Sequence, residues 1–278
     1  MKPAWLNKKI RLEDCSPTKQ VLRKLHLDTV CEQAICPNIG ECFSAKVATF
    51  LILGKNCTRM CSFCNVQKAK PLPVDWDEPE RVAQAVFQLG LKHVVITSVT
   101  RDDLVDGGAG IFADTVDRIK RKLPEVTVEV LIPDFGFSLS ALNTVAASGP
   151  QIIAHNLETV PSLYKTVRQG ADYTRSLNLL RTLKEITPQL KTKSGLMLGL
   201  GEKPEEILAV MNDLRSVECD LLSIGQYLAP SQKHYPVKDY ISPGTFDDYQ
   251  KKAMQLGFLH VESGPYVRSS YLAAKYLS

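Results

Sequence analysis

No stretch of this 278-residue chain approaches the ~20 consecutive apolar residues that a membrane-spanning helix needs, because its longest apolar runs are strand-length. The first fifteen residues also lack the continuous apolar segment of a secretory leader. Lys2, Lys8, Lys9 and Arg11 interrupt them, so the protein reads as cytosolic. An excess of one charge is missing too. A net charge of +4 is too weak, and its basic residues too scattered, for a nucleic-acid surface. Low-complexity linkers are absent, and 44% hydrophobic with 23% charged residues excludes a disordered chain. The reading is therefore one domain with decorated ends, binding neither membrane nor nucleic acid.

From about residue 49 the chain repeats one pattern, a short β-branched apolar run followed by an amphipathic segment of helical length. Strands are predicted at 49–54, 93–98, 127–132, 151–156, 194–200 and 220–225, and helices near 78–90, 110–122, 138–148, 174–186, 204–217 and 244–257. The strand candidates are nearly continuous in apolar residues, as in parallel strands covered on both faces. Asp75 or Asp77 can cap the first helix, and Pro204 is tolerated in the first turn of the 204–217 segment. Six βα units imply right-handed crossovers and an incomplete (β/α)6 TIM-type barrel, with a doubly wound open sheet as the alternative. Either puts ligands at the carboxyl ends of the strands. The expected organisation is an N-terminal extension at 1–48, a partial barrel at 49–257 and a C-terminal extension at 258–278.

Cysteine is what the chain has in surplus. Disulfides are disfavoured in the cytosol, so eight cysteines point to metal or redox chemistry, and six of them fall between Cys31 and Cys64. Directly after the first strand stands Cys57-Thr-Arg-Met-Cys61-Ser-Phe-Cys64. Three thiolates on one loop can hold three irons of a [4Fe–4S] cubane and leave the fourth iron open for a ligand. Zinc prefers a second cysteine pair or nearby histidines, and neither follows here. A second triad, Cys31, Cys36 and Cys42, again lacks a fourth cysteine, and Pro37 and Gly40 bend its segment. The bland alternative is a helical hairpin with incidental cysteines. Cys15 and Cys219 stand apart, Cys219 as a core residue.

The CxxxCxxC loop after the first strand of a βα repeat resembles the radical S-adenosylmethionine superfamily. The preceding CxxxxCxxxxxC and the Val267-Arg268-Ser269-Ser270-Tyr271 segment resemble the lipoyl synthase family, as do stretches at 48–54, 97–109, 154–161, 170–177 and 224–230. Leu272 stands where that family usually has His, and Ala69 where Gly is frequent. The resemblance implies insertion of two sulfur atoms at C6 and C8 of an octanoyl chain carried on a lysine of a lipoyl domain. It implies two [4Fe–4S] clusters and S-adenosyl-L-methionine as cofactors. The carrier would be an octanoylated 2-oxoacid dehydrogenase E2 component or glycine cleavage H protein, and the electron donor a ferredoxin or flavodoxin.

By the same resemblance Cys57, Cys61 and Cys64 hold the radical cluster, whose open iron is chelated by S-adenosylmethionine. Cys31, Cys36 and Cys42 hold an auxiliary cluster that donates sulfur, with Ser270 as its oxygen ligand and Arg268 orienting or covering it. Oxygen is a harder partner for iron than thiolate, which suits an iron that must later leave. Ser269 and Ser270 are expected to point to opposite sides of an extended tail. Phe63 is placed to pack near the nucleoside or to be an ordinary core aromatic. Asn156 and Glu158 follow the fourth strand and can bond ribose hydroxyls, while Arg175 and Lys193 can meet the carboxylate. Each is as open to a structural role. His155 and His234 read as core or surface residues, and Gly107-Gly108 with Asp102 and Asp103 as a loop beside the site. The rival readings are another radical sulfur-inserting enzyme and a two-cluster ferredoxin-like carrier, which would need eight clustered cysteines.

Overall fold

The computed structural model describes residues 3–7, 15–44, 47–271, 273 and 276. The chain divides into two compact units, Lys9–Arg59 with Asn65–Ile153, and Met1–Lys8 with Met60–Cys64 and Ala154–Ser278.

The first unit begins with α1 (Ser16–Lys24), β1 (Asp28–Thr29), α2 (Val30–Gln33) and α3 (Ile39–Ser44), none of which the βα pattern announces. Then follow β2 (Thr49–Ile52), β3 (Asn56–Cys57), β4 (Gln67–Lys68), α4 (Glu78–Leu89), β5 (His93–Ser98), α5 (Ala109–Lys122), β6 (Thr127–Leu131), α6 (Leu139–Ala147) and the first two residues of β7 (Ile152–Ala154). β2, β5 and β6 run parallel, with Phe50 opposite Ile96 and Val94 opposite Val128, and β1 adds an antiparallel edge. Val94, Val95 and Ile96 are all buried, as the unbroken apolar run requires. Helix α4 turns Val82, Ala83, Val86 and Leu89 inward. Each large side chain so buried contributes about 1.5–3 kcal/mol. Gly90 ends the helix at φ +63, a left-handed C-cap that costs glycine nothing.

In the second unit lie α7 (Tyr164–Val167), α8 (Tyr173–Ile186), β8 (Lys191–Leu198), α9 (Pro204–Ser216), β9 (Leu221–Gln226), α10 (Pro243–Gln255) and β10 (His260–Gly264). β8, β9 and β10 are parallel, in registers Leu196 to Ile224 and Ser263 to Ile224. Pro204 occupies the first turn of α9 as expected. β10 is a strand beyond the six of the repeat. Only Val261 of it is buried, so it carries no apolar run to announce itself.

Candidate active site: cysteine loops and the Arg-Ser-Ser-Tyr turn

β2 stops at Ile52 because Leu53 and Gly54 take left-handed backbones, φ +67 and +85. Leucine pays for that conformation with strain, so its surroundings must hold it. The Glu78 carboxylate accepts from the Leu53 amide at 2.7 Å, and Arg101 donates to the Leu53 carbonyl at 3.2 Å. The chain leaves this bend toward β3 and Cys57. Cys57 Sγ lies 3.3 Å from the Thr100 amide and 3.5 Å from the Arg59 amide, both donating to it. Two N–H groups aimed at one sulfur fit a thiolate ligand.

Thr29 opens the first turn that carries the N-terminal triad. Its hydroxyl oxygen accepts from the Glu32 amide and donates to the Glu32 carboxylate, which places Cys31 in α2. The Cys36 amide donates to the Cys31 carbonyl at 3.0 Å, and the Cys42 amide to Asn38 at 2.9 Å. Burial first, then the charge of Cys36, pushes the Cys31 thiol up to about 11. Burial thus keeps this thiol protonated in the absence of a neighbouring cation. Among the described residues no three His, Cys, Asp or Glu side chains gather as on a single ion. A cubane does not ask for that, because each thiolate takes a different iron.

In the second unit Cys64 donates its amide to the Cys61 carbonyl at 3.3 Å. The Ser62 amide donates to Val167, the Ser62 hydroxyl donates to Thr166 at 2.9 Å, and the Tyr235 amide returns to the Ser62 carbonyl. Phe63 packs on Val167, Leu200 and Tyr227. Beside it Arg168 donates to the Tyr164 hydroxyl at 3.0 Å and the Ser176 hydroxyl at 3.1 Å. Burial alone would lower Arg168, but Tyr164 and Glu158 outweigh it, and the charge of Cys61 adds to them.

Glu158 sits at φ +67 and bridges β8 through its backbone, donating to Gly195 and accepting from Met197. Burial raises its carboxyl, opposed in part by Arg168 and by a 3.0 Å hydrogen bond from Asn156. The same Asn156 amide nitrogen donates to Ser269 Oγ at 2.6 Å. Asn156 Oδ1 is buried without a hydrogen-bond partner among the described residues. A Cβ on Gly195 would come within 2.8 Å of that oxygen and of Ser223 Oγ, so glycine makes the seat. Gly225 does the same for the tail, since a Cβ there would collide with the Val267 carbonyl. Beyond it Tyr271 donates its amide to the Arg268 carbonyl at 2.9 Å. Ser269 and Ser270 are thus the central residues of a turn, where an extended tail was expected.

The radical SAM superfamily profile matches residues 51–214. Lipoyl synthase of Geobacter sulfurreducens is 61% identical over 275 residues, 99% of this chain and 90% of its own length. Lipoyl synthase of Caldanaerobacter subterraneus subsp. tengcongensis is 55% identical over 98% of this chain and 95% of its own. The chain belongs to the lipoyl synthase family. It is accordingly a radical S-adenosylmethionine enzyme, a transferase that uses [4Fe–4S] clusters. Among solved structures, methylornithine synthase matches 90% of this chain and 76% of its own, with a TM-score of 0.59 at 14% identity. A maturase of the [FeFe]-hydrogenase matches 97% and 75%, with a TM-score of 0.57 at 15% identity. These share the α/β fold.

In this lipoyl synthase family member the structure brings Asn156, Glu158 and Ser269 together. Arg175 lies half-buried in the first turn of α8, its amide donating to Asp172 at 2.6 Å. Lys193 is buried in the first half of β8, with its ammonium 3.7 Å from the centre of the Tyr276 ring. His155 is a core residue bonded to Ser176, and His234 an outer one bonded to Ser231. Leu272 falls outside the described residues. Sequence reasoning passed over Arg59, Thr100 and Asp134, and over Arg168. Arg59 alone carried a signal, its place inside the cysteine loop.

Proposed function

We propose that this chain inserts two sulfur atoms, at C6 and C8, into an octanoyl chain bound to a lipoyl carrier domain. Identity of 55–61% to lipoyl synthases over nearly the whole chain carries the reading. Cys57, Cys61 and Cys64 would hold the radical cluster. Cys31, Cys36, Cys42 and Ser270 would hold the auxiliary cluster from which sulfur comes. The N–H donors on Cys57 fit its assignment.

The radical cluster with S-adenosylmethionine supplies the one-electron cleavage that starts hydrogen removal from an unactivated C–H. The chain's part is to orient and to keep water out. Phe63, Asn156, Glu158, Arg175 and Lys193 are the residues we assign to S-adenosylmethionine. Buried Glu158 offers a carboxylate for hydroxyl groups, and Asn156 presents an amide oxygen, unpartnered among the described residues, as a second acceptor. The packing of Phe63 also gives it a structural role, as does the seat of Lys193 on Tyr276. Positions 1–48 and 258–278 act as extensions that complete the sites of the partial barrel at 49–257.

The carrier would be an octanoylated 2-oxoacid dehydrogenase E2 component or glycine cleavage H protein, and the reductant a ferredoxin or flavodoxin. We place the reaction in the cytoplasm. Among the described residues no helix is long and apolar enough to cross a membrane. The deciding experiment incubates anaerobically reconstituted protein with S-adenosylmethionine, a strong reductant and an octanoylated lipoyl-domain peptide. Mass spectrometry should show replacement of two hydrogens by two sulfurs. Cofactor cleavage with no sulfur gained by the peptide would overturn the reading.

A further inference from the structure

Three parallel strands put rows of side chains under the C-terminal tail. Lys193 in β8 and His260 in β10 both stand opposite Leu221 of β9. Residues in register on neighbouring strands point to the same face of a sheet. Two residues on, the next row is Gly195, Ser223 and Glu262, and the row after it Met197, Gly225 and Gly264. This face carries the tail. A Cβ on Gly225 would collide with the Val267 carbonyl, and one on Gly195 would crowd Asn156, the partner of Ser269.

Tyr276 closes on the Leu221 row. The Lys193 ammonium lies 3.7 Å from the centre of its ring, and the His260 ring meets it edge-on, with centres 4.8 Å apart and planes at 61°. His260 is itself held, its Nε2 3.0 Å from Glu262 Oε1. Lys193 and Tyr276 are both buried, as is Ala273 three residues before the tyrosine. A cation over an aromatic face gains most when both are out of water, and an edge-to-face ring pair adds to it. The Arg-Ser-Ser-Tyr turn therefore has a fixed point on either side. Val267 is seated at Gly225, and Tyr276 on the row four residues back along β9, about 13 Å away.

We propose that Lys193 and His260 form a socket for Tyr276, and that Tyr276 is a positioning residue which anchors the tail and so holds the Arg-Ser-Ser-Tyr turn in place for sulfur insertion. This rests on Ser270 being the oxygen ligand of the auxiliary cluster. The socket fixes the downstream end of the turn, as outer contacts orient the ligands of other metal sites.

The test takes the full chain with both clusters reconstituted and compares Tyr276→Leu, which stays apolar, with Tyr276→Phe, which keeps the ring. Hydrogen exchange followed by mass spectrometry reads the turn through two amides, Val267 bonded to Gly264 at 3.0 Å and Tyr271 bonded to Arg268 at 2.9 Å. Tyr276→Leu should speed exchange in peptides covering these amides and lower lipoyl formation about tenfold, with 5′-deoxyadenosine formation retained. Tyr276→Phe should match the wild type in all three. Unchanged exchange in Tyr276→Leu overturns the socket, and faster exchange with an unchanged lipoyl yield overturns its part in positioning. Equal losses in the two variants also overturn it, since the ring is then not what holds. Full insertion by Ser270→Ala, run alongside, would instead sink the ligand reading, while the exchange result, which does not involve Ser270, still decides the socket.

Discussion

The side-chain amide of Asn156 donates to the Ser269 hydroxyl at 2.6 Å, across 113 residues of sequence. The same nitrogen holds Glu158, so the Arg-Ser-Ser-Tyr turn and the acidic end of the site share one residue. Ser269→Ala removes an acceptor worth about 1 kcal/mol. It should weaken S-adenosylmethionine binding about 5-fold in equilibrium dialysis, with Ser269→Thr restoring it. Ser270→Ala should leave that affinity alone and sharply reduce lipoyl formation. Equal behaviour of the two variants would refute the division of roles.

Gly225 makes room for the tail. Gly225→Ala forces the Val267 carbonyl away from β9, and the turn with it. Sulfur insertion should fall by at least tenfold while the circular dichroism spectrum stays that of the native fold. An unaffected insertion rate would mean the tail tolerates another path.

The two triads should separate by product. Alanine at Cys57, Cys61 and Cys64 should abolish 5′-deoxyadenosine, measured by chromatography. Alanine at Cys31, Cys36 and Cys42 should retain it and abolish lipoyl product. Wild-type protein should take up about eight irons per chain and each triple variant about four. Lipoyl product from the second variant would remove the auxiliary cluster from its role as donor.

Glu78 predicts a pH dependence of stability. Burial raises its carboxyl to about 7, with Asp75 and Asp28 adding to the rise and the Leu53 amide and Arg81 opposing it. The folded state then binds a proton that the unfolded state has released, so stability falls as pH rises from the ordinary glutamate range to about 7. Glu78→Gln keeps an acceptor for Leu53 and should lose this fall. The difference in unfolding free energy between the two proteins should change by on the order of 1–3 kcal/mol across that window. A constant difference in denaturant melts would rule Glu78 out as the source.

The parallel core was legible because a strand covered on both faces needs an unbroken apolar run, and 93–98 fills β5 from end to end. The start of β8 was not, because Lys191 and Lys193 alternate there with Thr192 in a strand that buries its lysine. β10 was missed because Val261 is its single apolar residue, followed by Glu262, Ser263 and Gly264. The cysteine loops showed themselves because their ligands lie within a few residues of one another. Arg59 meets Asp102 and Asp134 at separations of 43 and 75, and no local pattern marks such a pairing.

Cys219 is fully buried, and burial pushes its thiol up to about 12. Alkylating reagents attack the thiolate, so this residue stays silent at neutral pH. Cys15 is sealed from reagent as completely. The six motif cysteines are all at least partly open except Cys31. Counting iodoacetamide adducts on intact native protein by mass spectrometry should therefore report the five open motif cysteines, free of background from buried Cys15, Cys31 and Cys219.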